Sequence, residues 1–260
     1  MRYRVVRANC LLTTLCGTMV FLSSCRVADT QPVHIAVAAN FTEPAKEIAE
    51  RFQEETGHKT LLSFGSTGQL FTQITQDAPF EVFLAADQET PSKAVREGLA
   101  VKESLFTYAA GRIALHSSSL DVSNGEMVLR QAKFEKLSIA NPVTAPYGAA
   151  AVEAMKSLGL YEKLEKRIVQ GNNIAQTFQF VETGSAELGF VALSQVVGRN
   201  RTSIWIVPET LYSPIHQDAV LTNKGAGHEG ARAFMTFLRG EQALRVMEKY
   251  GYARSSERLE

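Results

Sequence analysis

The chain has 260 residues, enough for one large domain or two medium ones with cores of their own. Its 45% hydrophobic and 21% charged residues exclude a disordered or multi-span membrane chain, and 27 basic against 27 acidic residues leave no positive excess for coating nucleic acid. Three cysteines are too few for a disulfide-dense scaffold.

Arg2, Arg4 and Arg7 open the chain, and residues 11–22 form an uncharged apolar run. That run is too short for a folded membrane span and fits the core of a signal peptide. Leu22-Ser23-Ser24-Cys25 resembles a bacterial lipoprotein processing site, at which the cysteine becomes the acylated first residue. An ordinary signal peptide cleaved nearby, with Cys25 incidental, is the alternative. Loss of residues 1–24 removes three arginines and no acid, leaving 24 basic residues against 27 acidic, a net charge of −3. Cys10 and Cys16 leave with the signal, so Cys25 has no internal disulfide partner. The expected address is outside the cytoplasm, with residues 25–32 as a polar tether.

The body alternates strand and helix. Residues 33–39 read as a buried strand, and Ala45, Ile48, Ala49 and Phe52 then recur at helical spacing. Asn40 or Thr42 can cap that helix, Pro44 suits its first turn, and Gly57 ends it. Residues 60–64 read as the next strand, Gly65-Ser66-Thr67-Gly68 as a turn, and Leu70 and Ile74 as the start of a second helix. A strand at 81–86 and a helix at 91–97 follow. Residues 105–116 form a longer extended segment that carries the chain towards a second lobe. That lobe takes a strand at 137–140, helices at 149–158 and 175–182, and a strand at 188–192. Residues 204–207 lead to a strand at 219–221, and 230–250 hold two helices expected to pack back on the first lobe, with Tyr250 and Tyr252 packing the C-terminus. The pattern is α/β, with mainly parallel sheets covered on both faces.

Open sheets of this kind hold ligands beyond the C-terminal ends of their strands. Two such ends carry small polar residues before a helix: Asn40 and Gly65-Ser66-Thr67-Gly68. Helix N-termini offer unpaired N–H groups and the positive end of a dipole, so an anion can sit there without a lysine or arginine. Asn and Ser also cap helices with no ligand at all, and that reading stands beside the first at each turn taken singly. There is no G-x-x-x-x-G-K-[ST] phosphate loop and no G-x-S-x-G elbow. The five histidines have no partner at zinc-site spacing. Glu54-Glu55 reads as a solvated helix face.

The segments A-A-N-F (38–41), F-G-S-T-G-Q-L (64–70) and A-P-F-E-V-F-L-A-A-D (78–87) resemble the periplasmic molybdate-binding proteins of ABC transporters. N-P-V-T-A-P-Y-G (141–148), S-L-G-L-Y-E-K-L (157–164), E-L-G-F-V-A-L-S-Q (187–195), F-L-R-G-E-Q-A (237–243) and Y-G-Y (250–252) extend the likeness over nearly all of residues 33–252. The resemblance implies a two-lobed periplasmic binding protein fold with the ligand in the cleft. It places lobe 1 at 33–111 and 214–260 and lobe 2 at 112–213.

It also implies molybdate or tungstate as ligand, held by Asn40, Ser66, Tyr147 and Ile174, with Thr67 and Ala39 as further contacts. Molybdenum would be bound only as its oxyanion, without a direct protein–metal bond and without any cofactor. Many members carry a ligand tyrosine where this chain has Ala192, so Tyr147 is expected to supply a hydroxyl from the opposite turn. Neutral donors suit a fully deprotonated dianion, because protonated phosphate brings an O–H of its own. The implied protein is a non-catalytic monomer in the periplasm or at the cell surface. It would be anchored by lipid at Cys25, serve an inner-membrane ABC permease and bind no nucleic acid. Another oxyanion such as sulfate or thiosulfate, a sensor role, and a serine hydrolase using Ser66 are the rival readings.

Overall fold

The computed structural model describes residue 1, residues 31–199 and residues 201–253, without the side chain at 201. The signal segment, Cys25 and most of the tether lie outside the described residues. The elements run β1 (Val33–Ala38), α1 (Thr42–Thr56), β2 (Thr60–Gly65), α2 (Thr67–Thr75), β3 (Val82–Leu84), α3 (Glu89–Arg96), β4 (Phe106–Gly111), β5 (Ile113–His116) and α4 (Gly125–Gln131). Then come β6 (Leu137–Ala140), α5 (Pro146–Ser157), α6 (Tyr161–Leu164), β7 (Ile168–Gly171), α7 (Ile174–Glu182), β8 (Leu188–Ala192), β9 (Ile204–Ile206), β10 (Ile215–Leu221), α8 (Glu229–Leu238) and α9 (Glu241–Lys249).

The strands form two five-stranded sheets, ordered β2-β1-β3-β10-β4 and β7-β6-β8-β5-β9. In the first, β1 pairs in parallel with β2 and β3, while β10 runs against β3 and β4. In the second, β6 pairs in parallel with β7 and β8, while β5 runs against β8 and β9. Each sheet therefore has one strand opposed to the other four. Those opposed strands are β5 and β10, the first strand that each sheet receives when the chain arrives from the other. The extended segment at 105–116 is not one strand: β4 ends at Gly111 in the first sheet and β5 begins at Ile113 in the second, with only Arg112 between.

Strand alternation divides the core of the first sheet. Val33, Ile35 and Val37 pack with Ile48, Phe52, Phe234, Leu238 and Met247 from α1, α8 and α9. Ala36 faces the other way, with Leu70 and Ile74 of α2 and with Phe83. Phe52 meets Phe234 edge to face at 5.2 Å, a preferred aromatic geometry. The second sheet buries Ile113, Leu115, Leu137, Ile139 and Phe190 against Ala150, Ala154 and Met155 of α5. That cluster also contains Ala38, Ala39 and Ala86, which end β1 and follow β3. The two sheets thus meet at the C-terminal ends of their strands.

Helix ends follow the local chemistry. Gly57 closes α1 at φ 77°, a left-handed conformation that suits a residue without Cβ. Asn40 and Thr42 do not cap α1, contrary to the sequence expectation. The N-cap position is Phe41 and carries no side-chain cap. The Thr42 hydroxyl donates back to the Ala39 carbonyl at 2.8 Å, and a short turn at Ala39–Phe41 carries Asn40 into the interior, where its amide finds better partners.

Candidate functional site

Several helices start at one point between the sheets. Strand β1 ends at Ala38 and turns through Ala39 and Asn40; β2 ends at Gly65 and α2 begins at Thr67; α5 begins at Pro146; and α7 begins at Ile174. Together these starts line a small cavity of about 10 Å³, roughly one water in size. Its walls are Ala38, Ala39 and Asn40; Gly65, Ser66 and Thr67; Ala86; Ala145, Pro146 and Tyr147; and Asn173 and Ile174. All six positions expected from the sequence (Ala39, Asn40, Ser66, Thr67, Tyr147 and Ile174) are brought together there, and all are buried. No Lys, Arg, His, Asp or Glu stands among the lining residues.

The hydroxyls at the cavity keep a hydrogen to give. Ser66 is the N-cap of α2: its Oγ accepts from the Gln69 N–H at 3.4 Å, and the Gln69 side chain accepts from the Ser66 N–H at 3.2 Å. This reciprocal box uses an oxygen lone pair and leaves the hydroxyl hydrogen free to donate. The capping and ligand readings of Ser66 are therefore compatible. Thr67 Oγ1 accepts from the Ala86 N–H at 3.0 Å, which likewise leaves its hydrogen. The Thr67 and Ile174 N–H groups stand at first helical positions, where no intrahelical acceptor exists. Asn173 caps α7, its Oδ1 accepting from the Ala175 and Gln176 N–H groups at 3.0 Å each.

Behind the cavity lies a buried polar network. Asn40 Nδ2 donates to Gln217 Oε1 at 2.8 Å, to the Tyr252 hydroxyl at 3.0 Å and to the Tyr147 hydroxyl at 3.3 Å. Gln217 Nε2 donates to the Tyr147 hydroxyl at 3.0 Å. The Tyr108 hydroxyl faces Gln217 Oε1 at 3.1 Å and the Ala85 carbonyl at 3.0 Å. The Asn40 carbonyl accepts from the hydroxyls of Ser194 and Tyr252, both at 2.8 Å. Burial pushes the Tyr147 and Tyr108 hydroxyls well above the ordinary tyrosine value, and raises Tyr252 as well, so all three stay protonated near neutral pH.

Two expectations are corrected here. The two Asn40 amide hydrogens turn to Gln217 Oε1 and the Tyr252 hydroxyl, with the more distant Tyr147 hydroxyl sharing one of them, so Asn40 lines the cavity while its amide N–H groups face the network behind it. Tyr252 does not merely pack the C-terminus: its hydroxyl reaches the Asn40 carbonyl. Ala192 is fully buried at the end of β8 and lies outside the cavity lining, whereas the Tyr147 ring is present in it.

Sequence reasoning missed Asn173, although Asn172-Asn173 ahead of an apolar-periodic stretch carries a capping signal. It also missed Gln217, Tyr108 and Ser194, for which no local pattern exists. A hydrolytic role for Ser66 lacks its base, since no histidine or carboxylate lines the cavity. Among the described residues there is no cluster of three or more His, Cys, Asp or Glu able to hold a metal ion, and no helix is long and apolar enough to cross a membrane.

Comparison with known proteins shows the family to which the chain belongs. Residues 33–253 match the model of the bacterial extracellular solute-binding protein family. The chain is 52% identical over 217 residues to the molybdate-binding protein ModA of Rhodobacter capsulatus, covering 84% of this chain and 86% of that protein. It is 51% identical over 229 residues to the molybdate-binding protein ModA of Azotobacter vinelandii, covering 86% and 91%. Among solved structures it resembles the Azotobacter vinelandii periplasmic molybdate-binding protein, with a TM-score of 0.82 at 35% identity over 86% of this chain and 99% of that one.

Proposed function

Because this chain belongs to the bacterial extracellular solute-binding proteins, and among them to the molybdate-binding proteins, we propose that it captures molybdate or tungstate outside the cytoplasm and delivers it to an inner-membrane ABC permease. The observation that carries this reading is the small cavity lined by hydroxyls and helix N-termini with no charged side chain. Ser66 Oγ, Thr67 Oγ1, the Tyr147 hydroxyl and the N–H groups of Thr67 and Ile174 would be the donors. Bonds of this kind to a charged acceptor contribute about 1.5–3 kcal/mol each. A dianion accepts at every oxygen, so an all-donor ring suits it. A cationic side chain would add attraction for any anion without adding selectivity.

The cavity is smaller than a tetrahedral oxyanion, so entry requires its walls to part. Residues 33–111 with 214–260, and residues 112–213, would act as two lobes hinged at Arg112 and at the return before β10. Closing them over the anion would present one shape to the permease. The protein makes and breaks no bond in this role and works as a monomer. Acylation of Cys25 would hold it at the membrane; incorporation of labelled palmitate by the wild type, lost in Cys25→Ala, is the test of that anchor.

The ligand itself is tested by thermal melting of the mature protein. A ligand that binds only the folded state adds about 2.7 kcal/mol of stability at a hundred times its Kd. Melting temperature should rise with molybdate and tungstate, and sulfate or thiosulfate should compete weakly in calorimetry. No rise at millimolar molybdate would refute the reading, and a stronger response to sulfate would reassign the oxyanion.

A further inference from the structure

We propose that Gln217 is a positioning residue: it commits the Tyr147 hydroxyl hydrogen to the cavity and so favours oxyanions that carry no proton of their own. The inference rests on the oxyanion reading above and names the residue that sets its selectivity.

A tyrosine hydroxyl can accept two hydrogen bonds and donate one. Tyr147 accepts from Gln217 Nε2 at 3.0 Å and, through a hydrogen shared with nearer acceptors, from Asn40 Nδ2 at 3.3 Å. Its own hydrogen then has two acceptors in reach, the neighbouring Tyr252 oxygen and an anion in the cavity that Tyr147 lines. The anion wins, because a charge-assisted bond is about twice as strong as a neutral one.

The orientation of the Gln217 amide is held from its other end. Oε1 accepts from Asn40 Nδ2 at 2.8 Å and faces the Tyr108 hydroxyl at 3.1 Å. Turning the amide over would set its NH2 group against the NH2 group of Asn40. Gln217 is fully buried, so an amide turned the wrong way has no bulk solvent to compensate it. The backbone serves the same arrangement. Between Gln217 and Asp218 the register of β10 against β4 shifts, pairing Gln217 with Ala109 and Asp218 with Thr107, so Tyr108 is passed over. Such a bulge re-aims side chains, and here both Tyr108 and Gln217 reach the network. Gln217 thus acts on a ligand it does not touch, since it is absent from the cavity lining.

Without the Gln217 N–H, the Tyr147 hydroxyl regains a free lone pair and can turn to accept. A protonated oxyanion could then donate to it, and the cavity would lose its preference. Calorimetry with molybdate and with hydrogen phosphate, on wild type, Gln217→Met, Tyr147→Phe and the double variant, tests this. Gln217→Met should weaken molybdate about tenfold, lower the molybdate-to-phosphate affinity ratio, and add almost nothing in the Tyr147→Phe background. Tyr108→Phe keeps its ring and removes the hydroxyl that faces the Gln217 amide and the Ala85 carbonyl. It should shift the ratio the same way by less, and it serves if Gln217→Met does not fold. Additive losses in the double variant, or an unchanged ratio in both Gln217→Met and Tyr108→Phe, would overturn the proposal. Failure of the wild type to bind molybdate would instead overturn the reading on which it rests.

Discussion

Gly111 is the position at which one added carbon should separate ligand binding from folding. It ends β4, immediately before the chain leaves the first sheet. A Cβ built there would lie 2.0 Å from the Tyr147 hydroxyl oxygen, 2.4 Å from Gln217 Nε2 and 2.9 Å from Tyr147 Cζ. Ordinary contact begins near 3.4 Å, so the hydroxyl must retreat by about 1.4 Å. Its bond from Gln217, now 3.0 Å, cannot survive that retreat in place. Gly111 is not among the glycines with positive φ, so alanine meets no backbone penalty and the effect is one of space alone.

Overpacking of this size costs about 1–3 kcal/mol of stability. Loss of one well-aimed donor to the anion costs about 1.5–3 kcal/mol of binding, or roughly ten- to a hundredfold in Kd. Calorimetric titration of Gly111→Ala with molybdate, beside a melt of the ligand-free protein, reads both quantities. Gly227→Ala is the control, since a Cβ there meets nothing within 4 Å. If Gly111→Ala binds within about twofold of wild type, the Tyr147 hydroxyl is not a ligand donor and the site geometry argued above is wrong.

Ser66→Ala should lose in two assays at once: molybdate affinity through the missing hydroxyl, and about 0.5–2 kcal/mol of melting stability through the broken cap of α2. Undiminished binding would remove Ser66 from the site. Thr67→Val keeps the shape but strands the buried Ala86 N–H, so it should destabilise the protein by about 1–3 kcal/mol; an unchanged melt would deny that bond. Asp87 supplies a pH test. Burial raises its carboxyl above the ordinary aspartate value, against the lowering effect of bonds from Thr90. As pH rises from the unfolded value through the raised folded one, the unfolded chain releases its proton first, so stability falls across that window. Asp87→Asn should remove this slope and gain on wild type with rising pH. Parallel curves for the two proteins would contradict the assignment.

The legible parts of the molecule are those with local signals. The apolar runs at Val33 and Thr60 gave strands, the spacing of Ala45, Ile48 and Phe52 gave α1, and Gly57 marked its end. Ser66 before α2 carried its capping box in four consecutive residues. Half of the cavity was legible for a related reason: Asn40 and Ser66 sit in small polar turns where strands hand over to helices, whereas Tyr147 and Ile174 were placed by the family resemblance alone. Asn40 lines the cavity wall, and its amide N–H groups turn away from a capping role. A capping preference is worth less than three partners in a buried network, and those partners lie 107, 177 and 212 residues away in sequence.

Sequence by itself determined most of the elements, though not α4, α6 or β7, together with the class of the fold and the neutral, donor-rich character of the turns after β1 and β2, because these depend on interactions within a few residues. Tertiary structure alone decided that the extended segment breaks at Arg112 and that Tyr108 is passed over in the pairing of β4 with β10. It also decided that Gln217 and Tyr252 meet Tyr147 and Asn40 around a single buried centre. Hydrogen-bond direction in such a centre is a property of all its members together, so no local stretch of sequence can encode it.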